Sequence, residues 1–302
     1  MTTSENLSRG AEPAHAATAL SAASGLQAAA EAAFREGNLA VAGRTIAQAA
    51  DQYQELGRSR RLADARVLQG DIARAAGDLA VAERHFRAAL RTFFLLEDRY
   101  ASARLLSTLA DLHFVAGDYA EAADLSRQAV ERMPGDTSAL TRLGYAEWYA
   151  GSPADGEAVF DQALRWDPNT VLALAGRGQI RADLGRLEQA LEDLDQALAS
   201  QLSRDAEIDA RSARALALVG LGRVTEAEDE LATALRMDPE RARTRLRAGR
   251  MAAVLGDKER MRAELERGLT ADPLLPAVEQ KAARRILHHF GLNDPSPDQL
   301  SC

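Results

Sequence analysis

The chain of 302 residues contains very little cysteine and few aromatic side chains. Cys302, at the last position, is the only cysteine, which excludes an intrachain disulfide framework and a cysteine-based zinc site. We interpret its thiol as a bystander on a frayed end. Aromatic residues make up 5% of the chain, whereas 63 alanines and 21 glycines account for more than a quarter of it. This composition favours closely packed helices over a β-sandwich, which needs β-branched and aromatic residues.

Long apolar runs are also missing. No stretch of 18 apolar residues occurs, so we predict no membrane-spanning segment. The first twenty residues lack the basic stretch and continuous apolar run of a secretory signal, and we expect a cytoplasmic protein. The net charge of −8 argues against general nucleic-acid binding, because neutralising phosphates needs an excess of basic residues. Residues 241–302 nevertheless carry twelve basic and eight acidic side chains, a local excess of positive charge.

Motifs that carry chemistry are absent from the sequence. The five histidines form no HExxH pair, and no GxxxxGK[ST] loop or GxSxG nucleophile setting occurs. The adjacent His288 and His289 would point about 100° apart on a helix, so they do not make a metal site. We therefore predict that the protein is not an enzyme and has no catalytic residue, metal or cofactor.

A short motif, a glycine followed by one or two turn or polar residues, recurs along the chain. The spacings between successive copies are 40, 40, 34, 34, 37 and 34 residues. A helical pattern of small and apolar residues precedes each glycine, and a second one follows it, which is typical of two antiparallel helices joined by a tight turn. The glycines are Gly37, Gly77, Gly117, Gly151, Gly185, Gly222 and Gly256.

Residue size at fixed distances from these glycines supports the same repeat. Alanine or glycine occupies 20 of the 21 positions that lie seven residues before, five after and twelve after the marker glycine. Nine residues after it, six of seven positions hold a large apolar side chain, such as Phe86, Phe160 or Leu194. Small residues opposite large ones let two helices approach closely. Prolines 17 residues after four of the markers, such as Pro168, end the second helix.

This pattern of small residue, Gly-Asp or Gly-Arg, Ala, aromatic or Leu, Ala and Pro resembles the tetratricopeptide repeat (TPR) family over roughly residues 23–274. The resemblance implies an all-α fold, a right-handed TPR α-solenoid of about seven helix-turn-helix repeats. We expect an array over residues 19–275, with repeats near 23–56, 63–96, 103–136, 137–170, 171–204, 208–241 and 242–275.

The ends of the chain and the two longest repeats depart from this regular pattern. Residues 1–18 lack a period and are predicted to be disordered. Residues 276–291 are predicted to form a capping helix that covers the last repeat, with Val278, Ala282, Ile286 and Phe290 on one face, and residues 292–302 a flexible tail. Six extra residues at 55–60 and again at 95–100 predict lengthened helices on either side.

In the family, the first helix of each repeat lines a concave groove, and its residues 13, 10, 9, 6, 3 and 2 before the marker glycine face inward. This implies that Tyr145, Trp148 and Tyr149 lie in the groove, where aromatic side chains with a polar group commonly anchor partners. An alternative interpretation is that Trp148 and Tyr149 pack against the next repeat. The same offsets place three charged residues in the groove: Arg104, Asp111 and Arg142.

Five arginines fall within residues 241–250. Arg243, Arg247 and Arg250 follow the i, i+4, i+7 spacing of one helix face, which the family alignment makes the concave one. We predict that they bind an acidic part of a partner. The alternative is a solvated face that forms local ion pairs.

The resemblance therefore predicts a non-catalytic scaffold or adaptor that binds another protein or an extended peptide in its groove, acidic at the Arg-rich end. We expect no nucleic-acid or membrane partner, and an array of this kind is compatible with a homo-oligomer. The alternative function is a regulatory receptor, which senses a peptide or ligand and changes its superhelix on binding.

Overall fold

The structure is a computed structural model that describes residues 4–272 and 275–291, with side-chain surroundings from residue 16 onward apart from position 277. The described residues form fifteen α-helices and no strand, which confirms the all-α prediction. The helices are α1 (Ser4–Arg35), α2 (Leu39–Glu55), α3 (Ser59–Ala75), α4 (Leu79–Leu95), α5 (Arg99–Ala116), α6 (Tyr119–Arg132), α7 (Thr137–Tyr149), α8 (Pro153–Trp166), α9 (Val171–Asp183), α10 (Leu187–Leu198), α11 (Arg204–Gly220), α12 (Val224–Met237), α13 (Ala242–Leu255), α14 (Lys258–Ala271) and α15 (Ala277–His289).

The Gly-Asp motif ends one helix and begins the next. Gly77 has φ 85°, in the left-handed region that glycine enters without a steric penalty, and the amide of Asp78 donates to the carbonyl of Ala73 at 2.9 Å. The Asp78 carboxylate then accepts from the amide of Val81 at 3.1 Å and caps α4. Two residues therefore satisfy backbone groups on both sides of the turn.

Glu97 occupies the corresponding turn position between α4 and α5 without being a glycine. Its φ is 53°, and the next residue, Asp98, repeats the capping contacts: its amide donates to Phe93 and its carboxylate accepts from Ala101. A side chain in the left-handed region costs roughly 1–2 kcal/mol. The turn forms because the two flanking helices and the Asp98 cap fix it.

Small and large residues meet within four of the hairpins as the sequence predicted. A Cβ atom added at Gly70 would lie 2.4 Å from the ring of Phe86, and one at Gly144 would lie 2.7 Å from the ring of Phe160. The first residue of each pair stands seven before a marker glycine and the second nine after it. Each large side chain is fully buried against the helix that carries its glycine.

The structure divides into two compact units, with the boundary between Leu112 and His113 inside α5. The first unit contains α1–α4 and most of α5. Its helices α2, α3 and α4 have 17 residues each, against 13 for α7 and 14 for α8, which agrees with the lengthening predicted from the six-residue insertions.

The start of the chain differs from the prediction. Residues 1–18 were expected to lack structure, whereas α1 begins at Ser4. The helix includes Gly10 and Pro13, the two residue types least favourable inside a helix, so nothing in the local sequence accounts for it. Residues 1–3 and the tail 292–302 lie outside the described residues.

In the second unit, the first helices of successive repeats, α7, α9, α11 and α13, contact one another in order. We call the surface that they form the first-helix face. The helix α15 packs against α13 and α14, so it covers the last repeat. Its most buried side chains are Ala283 and Leu287, one residue after the predicted Ala282 and Ile286, so the buried side of α15 is turned by about one residue from the expected one.

Candidate partner-binding site

Six of the nine residues predicted to bind a partner lie together on the first-helix face. They are Tyr145, Trp148 and Tyr149 on α7, with Arg243, Arg247 and Arg250 on α13. The spacing i, i+3, i+4 puts the three aromatic side chains on one side of α7, and the spacing i, i+4, i+7 does the same for the three arginines on α13. The sequence therefore identified the two halves of the cluster.

The aromatic half extends beyond α7. The ring of Tyr149 lies 4.9 Å from that of Phe114 and 5.1 Å from that of Tyr119, both as distances between centroids. Tyr145 donates its hydroxyl to the backbone carbonyl of Leu172 at 3.1 Å. Tilted and edge-on contacts at these distances are the favourable geometries for aromatic pairs. Burial raises the pKa of Tyr149 to about 12, so its hydroxyl stays protonated at neutral pH.

Trp148 is a core residue as well as a member of this cluster. Only 2% of its surface is exposed, and it belongs to a buried cluster with Phe160 on α8 and Leu174 on α9. The alternative interpretation, packing against the next repeat, therefore holds for Trp148. The face of its ring still meets the guanidinium of Arg243, 5.2 Å from the ring centroid.

Arg243 joins the two halves of the site. Its guanidinium lies 4.6 Å from the centroid of Tyr149, a cation–π contact in addition to the one with Trp148. Its Nη1 donates to Oδ2 of Asp209 on α11 at 3.2 Å, and its Nε donates to Oε1 of Glu279 on α15 at 2.7 Å. The side chain is only 9% exposed, and it contacts two aromatic rings and two carboxylates.

Arg247 and Arg250 are also bound within the chain. Arg247 is 2% exposed, and its Nη1 donates to the carbonyl of Asp209 at 2.8 Å and to Oγ of Ser212 at 3.0 Å. Arg250 forms an ion pair with Asp183 at the end of α9 and also donates to its backbone carbonyl at 3.2 Å. The arginine face is therefore not a solvated surface with local pairs, because its carboxylate partners lie on the other helices α9, α11 and α15.

The two aspartates of this network, Asp209 and Asp183, favour the ionised form. Burial raises the pKa of Asp209, but Arg243 and Arg241 together outweigh it, and the pKa lies below its ordinary value. For Asp183, burial acts in the same direction and is outweighed by Arg250 and Arg247. Buried ions of this kind are stable only with their partners in place, since removing one leaves an uncompensated charge.

Glu279 is less well satisfied. Its Oε1 accepts the hydrogen bond from Arg243, whereas its buried Oε2 has no hydrogen-bond partner among the described residues. Burial raises its pKa above the ordinary value of a glutamate in spite of the positive charge of Arg243. A half-open cavity of about 360 Å³ lies beside this contact, between α15 and the residues Trp148, Leu184 and Leu246.

The remaining predicted residues are not drawn into this cluster. Arg104 and Asp111 lie in the first unit, both exposed on α5, where the guanidinium of Arg104 lies 5.8 Å from the ring centroid of Tyr100. Arg142 lies on α7, half-buried, and donates to the carbonyl of Ser138 one turn earlier. That these nine residues bind a partner stays a prediction.

Four residues that bind the arginines were not among the predicted site residues. Asp209 and Ser212 lie on α11, and Gln179 and Asp183 on α9. All four stand 13, 10, 6 or 2 residues before their marker glycines, so the same inward offsets would have found them. These offsets do not identify Glu279, because it lies outside the repeats.

No metal site is evident in the part of the chain that the structure describes: no three His, Cys, Asp or Glu side chains are grouped so as to hold an ion. Within the same residues, every helix is too short or too polar to cross a membrane.

The hairpins, their marker glycines and the stacked first helices define an α-helical repeat protein. A sequence model of the tetratricopeptide repeat family matches residues 67–137, 141–206 and 212–276, about two thirds of the chain. The chain therefore belongs to the tetratricopeptide repeat family.

Solved structures agree with this fold. A tetratricopeptide repeat protein from Parabacteroides merdae is 15% identical, with a TM-score of 0.61, and the match covers 88% of this chain and 97% of that one. PilW, a type IV pilus biogenesis factor, is 18% identical, with a TM-score of 0.53 and coverage of 73% and 98%. PilF from Pseudomonas aeruginosa is 16% identical, with a TM-score of 0.50 and coverage of 90% and 99%. The comparison with curated proteins gave no match. Likeness at this level of identity shows the fold alone.

Proposed function

We propose that the chain is a non-catalytic interaction module that binds a segment of a partner protein on the first-helix face of its second unit. The observation that carries the proposal is that α15, a helix outside the repeats, already lies on this face. The face binds α15 through an ion pair between Arg243 and Glu279 and through apolar contacts beside Trp148. Arginine, tyrosine and tryptophan around a pocket are the residues that most often dominate binding energy at interfaces.

Two carboxylates of the site are poorly suited to acid–base catalysis. Asp209 and Asp183 keep lowered pKa values because each is bound to arginine, so neither is adjusted toward neutral pH as a general acid or base would be. The preferred partner is acidic where it meets Arg243, because that guanidinium keeps one donor, Nε, for a group outside the repeats.

Site-specific crosslinking tests this function. A photoreactive amino acid replaces Leu184, which lines the cavity and is 47% exposed, or Val224, a 39% exposed residue at the start of α12 that serves as the matched control. In a native lysate, we expect a discrete partner adduct from position 184 and none from position 224. Adducts from position 224 alone, or from neither position, would contradict the proposal.

A regulatory receptor is the second candidate, and the presence of α15 on the face favours it, since a bound ligand would have to compete with this helix. Such a receptor predicts that the scattering radius changes when the ligand binds. A rigid adaptor predicts no change.

A further inference from the structure

The helix α15 contacts the first-helix face with a carboxylate and small apolar side chains. Glu279, in its first turn, binds Arg243, and Val278, Ala282 and Ile286 line the cavity opposite α7, α9 and α13. The outer side of α15 is basic and exposed, with Lys281, Arg284 and His288, and Arg285 lies at the edge of the cavity. Because α15 has a basic outer side and small apolar residues on its inner side, it stays soluble both on the face and away from it.

The fit of α15 to the face is incomplete in two places. The Oε2 atom of Glu279 is buried and has no hydrogen-bond partner in the part of the chain that the structure describes, whereas water would donate a hydrogen bond to it in the free helix. The cavity of about 360 Å³ beside Ala282 is open space where a larger side chain would make contacts. Both defects weaken the docked state of α15.

The opposite surface keeps its shape without α15. Arg247 is held by Asp209, Ser212 and Gln179, all of them on the repeats. Arg243 retains Asp209 and both aromatic rings, and would lose only the acceptor of its Nε. The face is therefore organised in advance for a helix that brings a carboxylate, which lowers the entropic cost of binding.

We propose that α15 occupies, within the chain, the binding site of a partner helix. The proposal rests on the function proposed above and names the chemistry of the partner: an amphipathic helix with a carboxylate in its first turn and an apolar side chain larger than alanine three residues later. The partner displaces α15 because it fills the cavity that Ala282 leaves. A ligand that binds the face more weakly than α15 does not displace it, whereas one that binds more tightly does.

The test uses the full chain and two fluorescent peptides. The first has the sequence of residues 276–291, and the second carries Ala282→Leu. The chain variant Glu279→Lys places a positive charge beside Arg243 and releases α15. The matched control is Glu259→Lys, which changes an exposed first-turn glutamate of α14 in the same way.

Fluorescence anisotropy measures the affinity of each peptide. We expect the first peptide to bind the Glu279→Lys chain at least about tenfold tighter than the wild-type or Glu259→Lys chains, because α15 no longer competes. The leucine peptide should bind about tenfold tighter than the first, from the added apolar contact. Equal affinity for all three chains would overturn the proposal.

Hydrogen exchange on the wild-type chain keeps the proposal testable if Glu279→Lys fails to fold. A saturating amount of the leucine peptide should speed amide exchange in α15 and leave that in α13 slow, and unchanged exchange in α15 would overturn the proposal. If the wild-type chain is a dimer and the peptide dissociates it, the face binds the α15 helix of a second copy. That result would overturn the proposal that the face binds a different protein. A partner adduct at position 184 with unchanged peptide affinities would overturn this inference and leave the proposed function standing.

Discussion

Asp209 on α11 and Arg243 on α13 form a buried ion pair between consecutive repeats, with Oδ2 and Nη1 3.2 Å apart. Arg241 binds the same carboxylate through two further hydrogen bonds, and Arg247 binds the backbone carbonyl of Asp209. The first-helix face of the second unit therefore depends on a single aspartate that three arginines share.

We expect Asp209→Ala to lower the free energy of unfolding by about 3–5 kcal/mol, because it leaves the buried guanidinium of Arg243 without one of its counter-ions. Urea denaturation followed by circular dichroism measures the change. The control Asp205→Ala removes a 76% exposed carboxylate that also faces Arg241, at 3.4 Å, and should cost less than about 1 kcal/mol. Equal losses in the two variants would show that burial of the pair is not what matters.

The pH dependence of stability follows from the same carboxylates. Asp209 and Asp183 have pKa values below the 3.8 of the unfolded chain, so they bind protons less readily when the chain is folded. Their contribution is complete above pH 3.8 and is lost as the pH falls from that value through the folded-state pKa. Urea titrations across this range should show a shallower acid slope for Asp183→Asn than for the wild type. An unchanged slope would contradict the role given to Asp183.

Turn geometry predicts a stabilising substitution in the first unit. Glu97→Gly relieves a side chain at φ 53° and should raise the free energy of unfolding by roughly 0.5–1 kcal/mol, the strain removed less the added entropy of the unfolded chain. Glu55→Gly, at the helical end of α2, should instead lower it by about 1 kcal/mol. Thermal denaturation of the two variants shows whether each one gains or loses stability relative to the wild type. A loss in both variants would refute the strain at Glu97.

Two helical glycines of the first unit should respond to alanine in opposite ways. A Cβ at Gly70 would lie 2.4 Å from Phe86, and we expect Gly70→Ala to destabilise the chain by about 1–3 kcal/mol through overpacking. A Cβ at Gly43 would meet nothing closer than 3.9 Å, so Gly43→Ala should stabilise it by up to about 1 kcal/mol. Urea denaturation of each variant against the wild type gives the two values. A destabilising Gly43→Ala would contradict the close-packing account.

The repeat pattern predicted the hairpins well because each hairpin depends on neighbours in the chain. Gly70 and Phe86 stand at fixed distances from the same turn, so local spacing determines their contact. The arginines of α13 were harder to interpret, since a charge pattern on one helix does not show where its counter-ions are. Asp183 and Asp209 lie at inward offsets of the two preceding repeats, and comparing offsets between repeats would have paired them.

The position of α15 could not be derived from its own sequence. Its apolar period predicted a helix and a buried side, but the choice between neighbouring faces depends on contacts with Arg243 and the last repeat. The predicted residues Ile286 and Phe290 pack against the last repeat, but the most buried side chains of α15, Ala283 and Leu287, lie on the adjacent side. The helix over residues 4–18 was likewise not predicted, because this stretch contains Gly10 and Pro13 and lacks an amphipathic period.

The central claim is that the first-helix face binds a helix and that α15 holds the place of that helix. Hydrogen exchange followed by mass spectrometry tests it on the unmodified chain, with and without the leucine peptide. The account predicts faster exchange throughout α15 when the peptide is bound, together with unchanged protection of α13. Protection of α15 that does not respond to saturating peptide would contradict it.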